Sequence, residues 1–275
     1  MNNNKDYAER FAGIERLYGK NKAKIIAALH ICVIGIGGVG SWAVEALARS
    51  GVGEITLIDH DDIALSNMNR QIHTLDSSIE QSKVSAMLER VMQINPHCQC
   101  HVIDDLLTEN NLKKHIGCDF DSESPANFDY IIDAIDSVKQ KSALIYYCKR
   151  NKIPIITTGG AGGLSQPTAV EISDLSKTFN DPLAAKVRSQ LRYQYNFSKN
   201  PKSRFGIECV FSTEQQVYPQ ADGSVGQEKP IMKGVSLDCN FGYGSSSCVT
   251  SVFGFAAAAR VIDKAVARRQ RAESR

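Results

Sequence analysis

The sequence predicts an α/β fold with a doubly wound, mostly parallel sheet, and three observations point to it. Short apolar runs recur between residues 30 and 158, each followed by a stretch of helical character. The first run ends in the glycine string Gly35-Ile36-Gly37-Gly38-Val39-Gly40. The second closes on an acidic residue, Asp59. Alternation of strand and helix is the sequence form of a parallel sheet covered on both faces.

The elements follow in order. Residues 1–30 read as one or two amphipathic helices with Arg10, Arg16 and several lysines on their polar faces. HICVIGI (30–36) is a short apolar run ending in glycines, the pattern of a buried parallel strand. A helix over Ser41–Ser50 and the strand EITLID (54–59) come next, then a helix from Gln81 to Ile94 that stops at Asn95-Pro96. CHVIDD (100–105), YIIDAID (130–136) and IPIITT (153–158) are further strands, separated by helices near 108–116 and 139–151. After Gly159 the pattern changes. GGAGGLSQP (159–167) is too rich in glycine for regular structure, and TAVEISD (168–174) alternates like an exposed strand. A helix over 182–195, a strand over 207–212, a Gly/Ser loop over 219–247 and a last helix complete the chain.

Composition sets the limits. With 275 residues, 43% of them hydrophobic, the chain can bury a proper core. A net charge of +2 announces no nucleic-acid binder in bulk, so a basic contact surface must come from local clustering. None of the eight cysteines pairs as CxxC, so no zinc is expected. The polar start MNNNKDYAER has no signal-peptide character, which points to reduced thiols and a cytoplasmic location. SSSCVTSVFGFAAAA (245–259) can be mistaken for a membrane span. It is shorter than the ~20 apolar residues a bilayer needs and is read as a buried core helix.

The glycine string between a strand and a helix brings backbone N–H groups and a positive helix end to a phosphate, with Asp59 placed to hold ribose hydroxyls. This is the Rossmann-like arrangement, and alone it suits NAD as well as ATP. The stretch Leu65-Ser66-Asn67-Met68-Asn69-Arg70-Gln71 and Lys83 separate the two. A dehydrogenase has no use for cations there, whereas breaking a triphosphate does, because negative charge grows as pyrophosphate leaves. Arg70 offers a planar fork and Lys83 a mobile point charge. Asn67 and Asn69 are candidates to orient phosphate or substrate. Asp136, at the end of YIIDAID, suits Mg²⁺, or serves as the cap of the following helix.

GIGGVG, LIDHDDI, LSNMNRQ, Lys83 and DAID together resemble the E1-like superfamily over residues 30–160. The resemblance implies that Gly35, Gly37, Gly38, Gly40, Asp59, Asp61 and Asn69 hold ATP, that Arg70 and Lys83 take its phosphates, and that Asp136 takes Mg²⁺. It also implies a homodimer in which an N-terminal arginine enters the neighbour's site. The superfamily's RYxRQ motif is here Arg10-Phe11-Ala12-Gly13, which leaves Arg10 or Arg16 for that role. The strings NKIPIITTGGAGG, DLSKTFNDPLAAKVR, CVFSTE and VYPQADGSV are similar to the tRNA threonylcarbamoyladenosine dehydratase family, nearly end to end. That likeness implies ATP-dependent cyclisation of N6-threonylcarbamoyladenosine at tRNA position 37, by carboxylate activation. The alternative is adenylation of a small carrier protein in sulfur transfer, with a cysteine desulfurase or sulfur acceptor as partner. The absence of CxxC pairs weighs against it.

A tRNA substrate calls for a local basic surface. AAKVRSQLRYQYNFSKNPKSR (184–204) supplies Lys186, Arg188, Arg192, Lys199, Lys202 and Arg204 with no acidic residue, interleaved with Tyr193, Tyr195 and Phe197. This suits phosphates and stacked bases, or else a solvated helix whose aromatics turn inward. No DNA partner is expected. Cys239, in SLDCNFGYG, is either an acceptor thiol or a bystander, since ring closure needs no enzyme nucleophile. The organisation expected is an arm over 1–30, a Rossmann-like ATP-binding unit over 31–165, and an α+β extension over 166–275. The extension serves substrate binding and dimerisation and packs on the same unit.

Overall fold

The computed structural model describes residues 3–117, 128–228 and 244–274. The N-terminal arm is three short helices, α1 (Asn3–Arg10), α2 (Ala12–Tyr18) and α3 (Lys20–Ala27), rather than one or two. Gly19, at φ +83°, breaks α2 from α3 in a conformation that side chains disfavour.

β1 (His30–Ile34) and α4 (Gly40–Arg49) flank the glycine turn, and β2 (Glu54–Asp59), α5 (Lys83–Ile94) and β3 (Gln99–Asp104) complete the first half of the sheet. After the short α6 (Leu112–Ile116), β4 (Tyr130–Asp133), α7 (Val138–Arg150) and β5 (Ile155–Thr158) form the second half. β6 (Val170–Asp174), α8 (Pro182–Gln194), β7 (Glu208–Ser212), the two-residue strands β8 (Tyr218–Pro219) and β9 (Val225–Gly226), and α9 (Ser247–Glu273) follow. The β8–β9 hairpin lies inside what reads as loop in the sequence, where strands this short leave no alternating pattern. β4 ends three residues before Asp136, which therefore sits in the loop to α7.

The seven strands run in the order β3-β2-β1-β4-β5-β7-β6. All pair in parallel except β6, which is antiparallel to β7 at the edge. The chain moves outward from β1 through β2 and β3, then returns to β4 on β1's other side. This reversal opens a crevice at the carboxyl ends of β1 and β4, where doubly wound folds bind ligands.

Alternate side chains of each strand enter opposite layers. Ile31 and Val33 of β1 join a core formed with α3, α4, α5 and α9, while Cys32 and Ile34 join one formed with α7 and α8. α9 buries Val249, Phe253, Ala257, Val261 and Ala265, a four-residue spacing that lays one face along the first core. The apolar 245–259 stretch is thus core helix, and no described helix is long and apolar enough to cross a membrane. Gly254 marks the crossing of α9 over α4: a Cβ there would lie 2.5 Å from the Val39 carbonyl oxygen. Arg260 clasps Glu208 of β7 through two N–H groups, so the last helix is tied to the far half of the sheet.

Candidate nucleotide site

The turn after β1 demands its glycines for different reasons. Gly35 has φ +86°, and a Cβ on it would lie 2.8 Å from the Ala134 carbonyl. A Cβ on Gly40 would fall 1.8 Å from the Gly35 oxygen. Those two positions build the turn. Gly37 meets only Gln71 Nε2, at 3.9 Å, so its free side faces open space. Gly38 lies against the Arg70 stem, with 3.3 Å from a Cβ to Arg70 Cγ. Among the described residues no side chain caps the start of α4, so its positive end stays open to an anion, although the Ser41 and Ala43 amides already donate to the Gly37 and Val39 carbonyls.

Asp59 closes β2 across the turn. Its Oδ2 accepts from Ile36 N (2.5 Å) and its Oδ1 from Asp61 N (2.9 Å). The carboxylate therefore fixes the turn and keeps lone pairs for ribose hydroxyls. Lys83 opens α5, nearly buried, with Nζ 2.7 Å from Asp61 Oδ2. Asp59, His60 and Asp61 gather oxygen and nitrogen atoms within 4.8 Å, but backbone amides and Lys83 already engage the carboxylates.

The loop after β2 folds back on the turn. Arg70 is 8% exposed, and its Nη1 donates to Ser66 O (2.7 Å) and Asn69 Oδ1 (3.0 Å). Trp42 Nε1 and Thr250 Oγ1 both donate to the Arg70 carbonyl, which ties the loop to α4 and α9. Asn69 donates to Ser245 O at 2.8 Å. Asn67 is buried and its Oδ1 accepts from Ala64 N, closing a local turn. Both asparagines thus hold the loop in shape, a role their sequence positions do not reveal.

Asp136 is exposed, with no hydrogen bond or ion pair among the described residues. The helix cap falls on Ser137, not Asp136. A free carboxylate on the loop at the crevice is of the kind that suits Mg²⁺. The structure therefore brings together Gly35, Gly37, Gly38, Gly40, Asp59, Asp61, Asn69, Arg70 and Lys83, with Asp136 on the neighbouring loop.

Arg10 and Arg16 are elsewhere in the protomer. Arg10 pairs with Asp6 and reaches Ile94 O, at the other end of α5, about 16 Å along the helix from Lys83. Arg16 is exposed on α2. Cys239 lies outside the described residues.

The basic stretch does not make one patch at the site edge. α8 starts at the carboxyl edge, where Asn180 Nδ2 donates to Thr213 O, and runs about 20 Å to the opposite edge. Lys186 is exposed near the start, while Lys199, Lys202 and Arg204 lie exposed beyond its end. Arg192 stands over the Phe205 ring at 5.3 Å. The aromatics mostly turn inward, in line with the second of the two readings above: Tyr195 stacks on Tyr146, and Phe197 meets Phe205 edge-on. Tyr193 alone of the three is open, at 84%.

A buried polar cluster beside the site escapes the sequence reading. Asp133 accepts from Thr157 Oγ1 (2.7 Å) and Ile135 N (3.1 Å) and pairs with Lys141. Its signal was an acid inside the apolar run YIIDAID, where a carboxylate needs a partner.

The ThiF family profile matches residues 8–273. The chain is 48% identical over 266 residues to the tRNA threonylcarbamoyladenosine dehydratase of Escherichia coli, covering 96% of both chains. A crystal structure of the Escherichia coli dehydratase in complex with ATP superposes with a TM-score of 0.83 at 45% identity, again over 96% of each chain. The molybdopterin-synthase adenylyltransferase of Haemophilus influenzae is more distant, 31% identical over 62% of this chain and 68% of its own length. The chain belongs to the ThiF family and, within it, to the tRNA threonylcarbamoyladenosine dehydratases.

Proposed function

We propose that this chain uses ATP to remove one water from N6-threonylcarbamoyladenosine at position 37 of tRNA, closing it to the cyclic nucleoside. The observation that carries the reading is the joining of two cations, Arg70 and Lys83, to an open glycine turn, in a chain that matches the dehydratases over nearly its whole length.

The chemistry follows from the groups. A carboxylate is a poor electrophile. A threonine carboxylate oxygen attacks the α-phosphorus, the bond to pyrophosphate breaks, and an acyl-adenylate forms. The carbamoyl group of the same substrate then attacks the acyl carbon and AMP leaves with the carboxylate oxygen, so the nucleoside has lost a water. Both partners of ring closure sit in one molecule, and proximity supplies much of the rate. Arg70 and Lys83 stabilise charge as pyrophosphate departs. Asp136 would hold Mg²⁺, which would supply further neutralisation of the phosphates.

The reading includes a homodimer and a cytoplasmic location, where ATP and tRNA meet. Leu65, Leu75 and Phe255 are 67%, 54% and 42% exposed on the loop and helix that enclose the site, which fits burial against a second copy. Arg10 or Arg16 of that copy is then the one to reach the nucleotide.

The test supplies the full chain with ATP, Mg²⁺ and tRNA carrying the uncyclised nucleoside, followed by mild digestion and mass measurement. Loss of one water that depends on ATP is the expected result. An unchanged nucleoside mass counts against the reading.

A further inference from the structure

Between the start of α8 and the segment after β7 lies a cleft of about 270 Å³, lined by Asn180, Asp181, Arg188, Gln215, Gln216 and Tyr218. It opens on the same carboxyl edge as the glycine turn, because β5 and β7 run parallel to β4. Neighbouring strands are ~4.8 Å apart, so the cleft sits on the order of 10 Å from the loop that carries Asp136.

Three groups define what the cleft can take. Asp181, 5% exposed, has both oxygens engaged by the backbone, with Ala184 N at 2.9 Å and Gly160 N at 3.1 Å. It shapes the wall and is not an open anion. Arg188 is half-buried, anchored by Nη1 on Thr178 Oγ1, and has no carboxylate at ion-pair distance among the described residues. A guanidinium partly withdrawn from water, with Asp181 felt only at a distance and its oxygens spent on backbone amides, favours an anionic ligand. Gln216, 6% exposed, donates from Nε2 to Gly162 O, while its Oε1 is buried with no hydrogen-bond partner among the described residues. An unmet buried carbonyl costs about 1–3 kcal/mol and marks a place for a ligand N–H.

The cleft therefore asks for a small group that carries an N–H donor next to an anion. A nucleobase alone has no anion and a phosphate has no such donor. The threonylcarbamoyl substituent has both, a urea N–H beside a carboxylate. We propose that this cleft first receives the threonylcarbamoyl group of the substrate nucleoside, with Arg188 pairing with its carboxylate and Gln216 Oε1 accepting its urea N–H before the carboxylate moves to the α-phosphorus. The assignment rests on the dehydratase reading. It moves Arg188 from the phosphate-binding surface of the tRNA to the recognition of the modification itself.

Two tRNAs separate these roles: one carrying threonylcarbamoyladenosine and the same sequence with plain adenosine. Affinities for both and steady-state kinetics on the modified one are measured with the full chain at fixed salt, for the wild type, Arg188→Gln, Arg188→Lys and Thr178→Val. Arg188→Gln is expected to raise KM for the modified tRNA at least tenfold and to erase the preference for it, with affinity for plain tRNA and for ATP unchanged. Arg188→Lys restores part of the preference. Thr178→Val, which only frees the guanidinium from its anchor, gives a smaller loss and guards against a folding artefact. Equal weakening toward both tRNAs, with a shallower salt dependence, would make Arg188 a backbone contact and overturn the assignment. Retention of full preference by Arg188→Gln overturns it as well. A wild type that turns over with ATP while either result holds leaves the dehydratase reading standing and removes the cleft alone.

Discussion

Lys141 Nζ lies 2.9 Å from Asp133 Oδ2, and the two side chains are 2% and 0% exposed. Asp133 also receives the amide of Ile135, so the pair anchors the first residues of the loop that carries Asp136. Removing one partner leaves a buried charge unmatched, which costs about 3–5 kcal/mol. Lys141→Met should lower the denaturation midpoint accordingly. Combining it with Asp133→Leu should recover much of the loss, since the second change removes the stranded charge. Additive losses in the double variant would show that the pairing is not what matters.

The glycines of the turn should separate into two classes. Gly40→Ala forces a Cβ into the Gly35 carbonyl and is expected to disrupt folding. Gly37→Ala finds room, so the protein should fold with an ordinary melting temperature yet bind ATP at least tenfold more weakly. Calorimetric titration with ATP on both variants checks this, and normal ATP affinity in Gly37→Ala would exclude a phosphate from that face.

Arg70→Ala removes a buried fork held in place by Ser66 and Asn69. Loss of a charge-stabilising group typically slows turnover by about 10²–10³. Turnover should fall by that order while affinity for tRNA stays the same, because the proposed reading gives Arg70 to the nucleotide. A parallel loss of tRNA binding would reassign it.

His73 gives a pH dependence with a definite sign. It is 3% exposed, neither ring nitrogen has a hydrogen-bond partner among the described residues, and burial first, then Lys83 and Arg90, pull its pKa from 6.5 to about 4. The unfolded chain takes up a proton below pH 6.5 that the folded chain refuses until about pH 4. Stability from this group is therefore complete above 6.5 and declines as pH falls through that window, by about 3 kcal/mol in total. Denaturant unfolding at pH 7 and 4.5 should show a steeper loss for the wild type than for His73→Gln. Equal losses would mean that His73 is not the group responsible.

Much of the architecture was legible because strands buried on both faces are apolar throughout and end in glycine or acid, as HICVIGI and EITLID do. Boundaries failed where an apolar run outlasts its strand: YIIDAID continues past Asp133 because Ile135 packs on the core from a loop. The nucleotide site was legible for the reverse reason, since its glycines, Arg70 and Lys83 lie close together in sequence. The asparagines and the Asp133–Lys141 pair were not. Their partners come from other segments, Asn69 from Ser245 and Asp133 from Thr157 and Lys141. The direction of an aromatic side chain depends on such distant packing too, which is why Tyr195 and Phe197 point inward.

The crossing of α9 over α4 at Gly254 has a consequence for biosynthesis. Ser245, Thr250 and the buried face of α9 hold the loop of Asn69 and Arg70, yet they leave the ribosome long after it. Domains usually fold as their N-terminal parts emerge. Here the nascent chain carries its glycine turn, Asp59 and Lys83 with the support for Arg70 still missing until α9 emerges. A translation product cut short before α9 therefore holds the glycine turn without a properly braced Arg70.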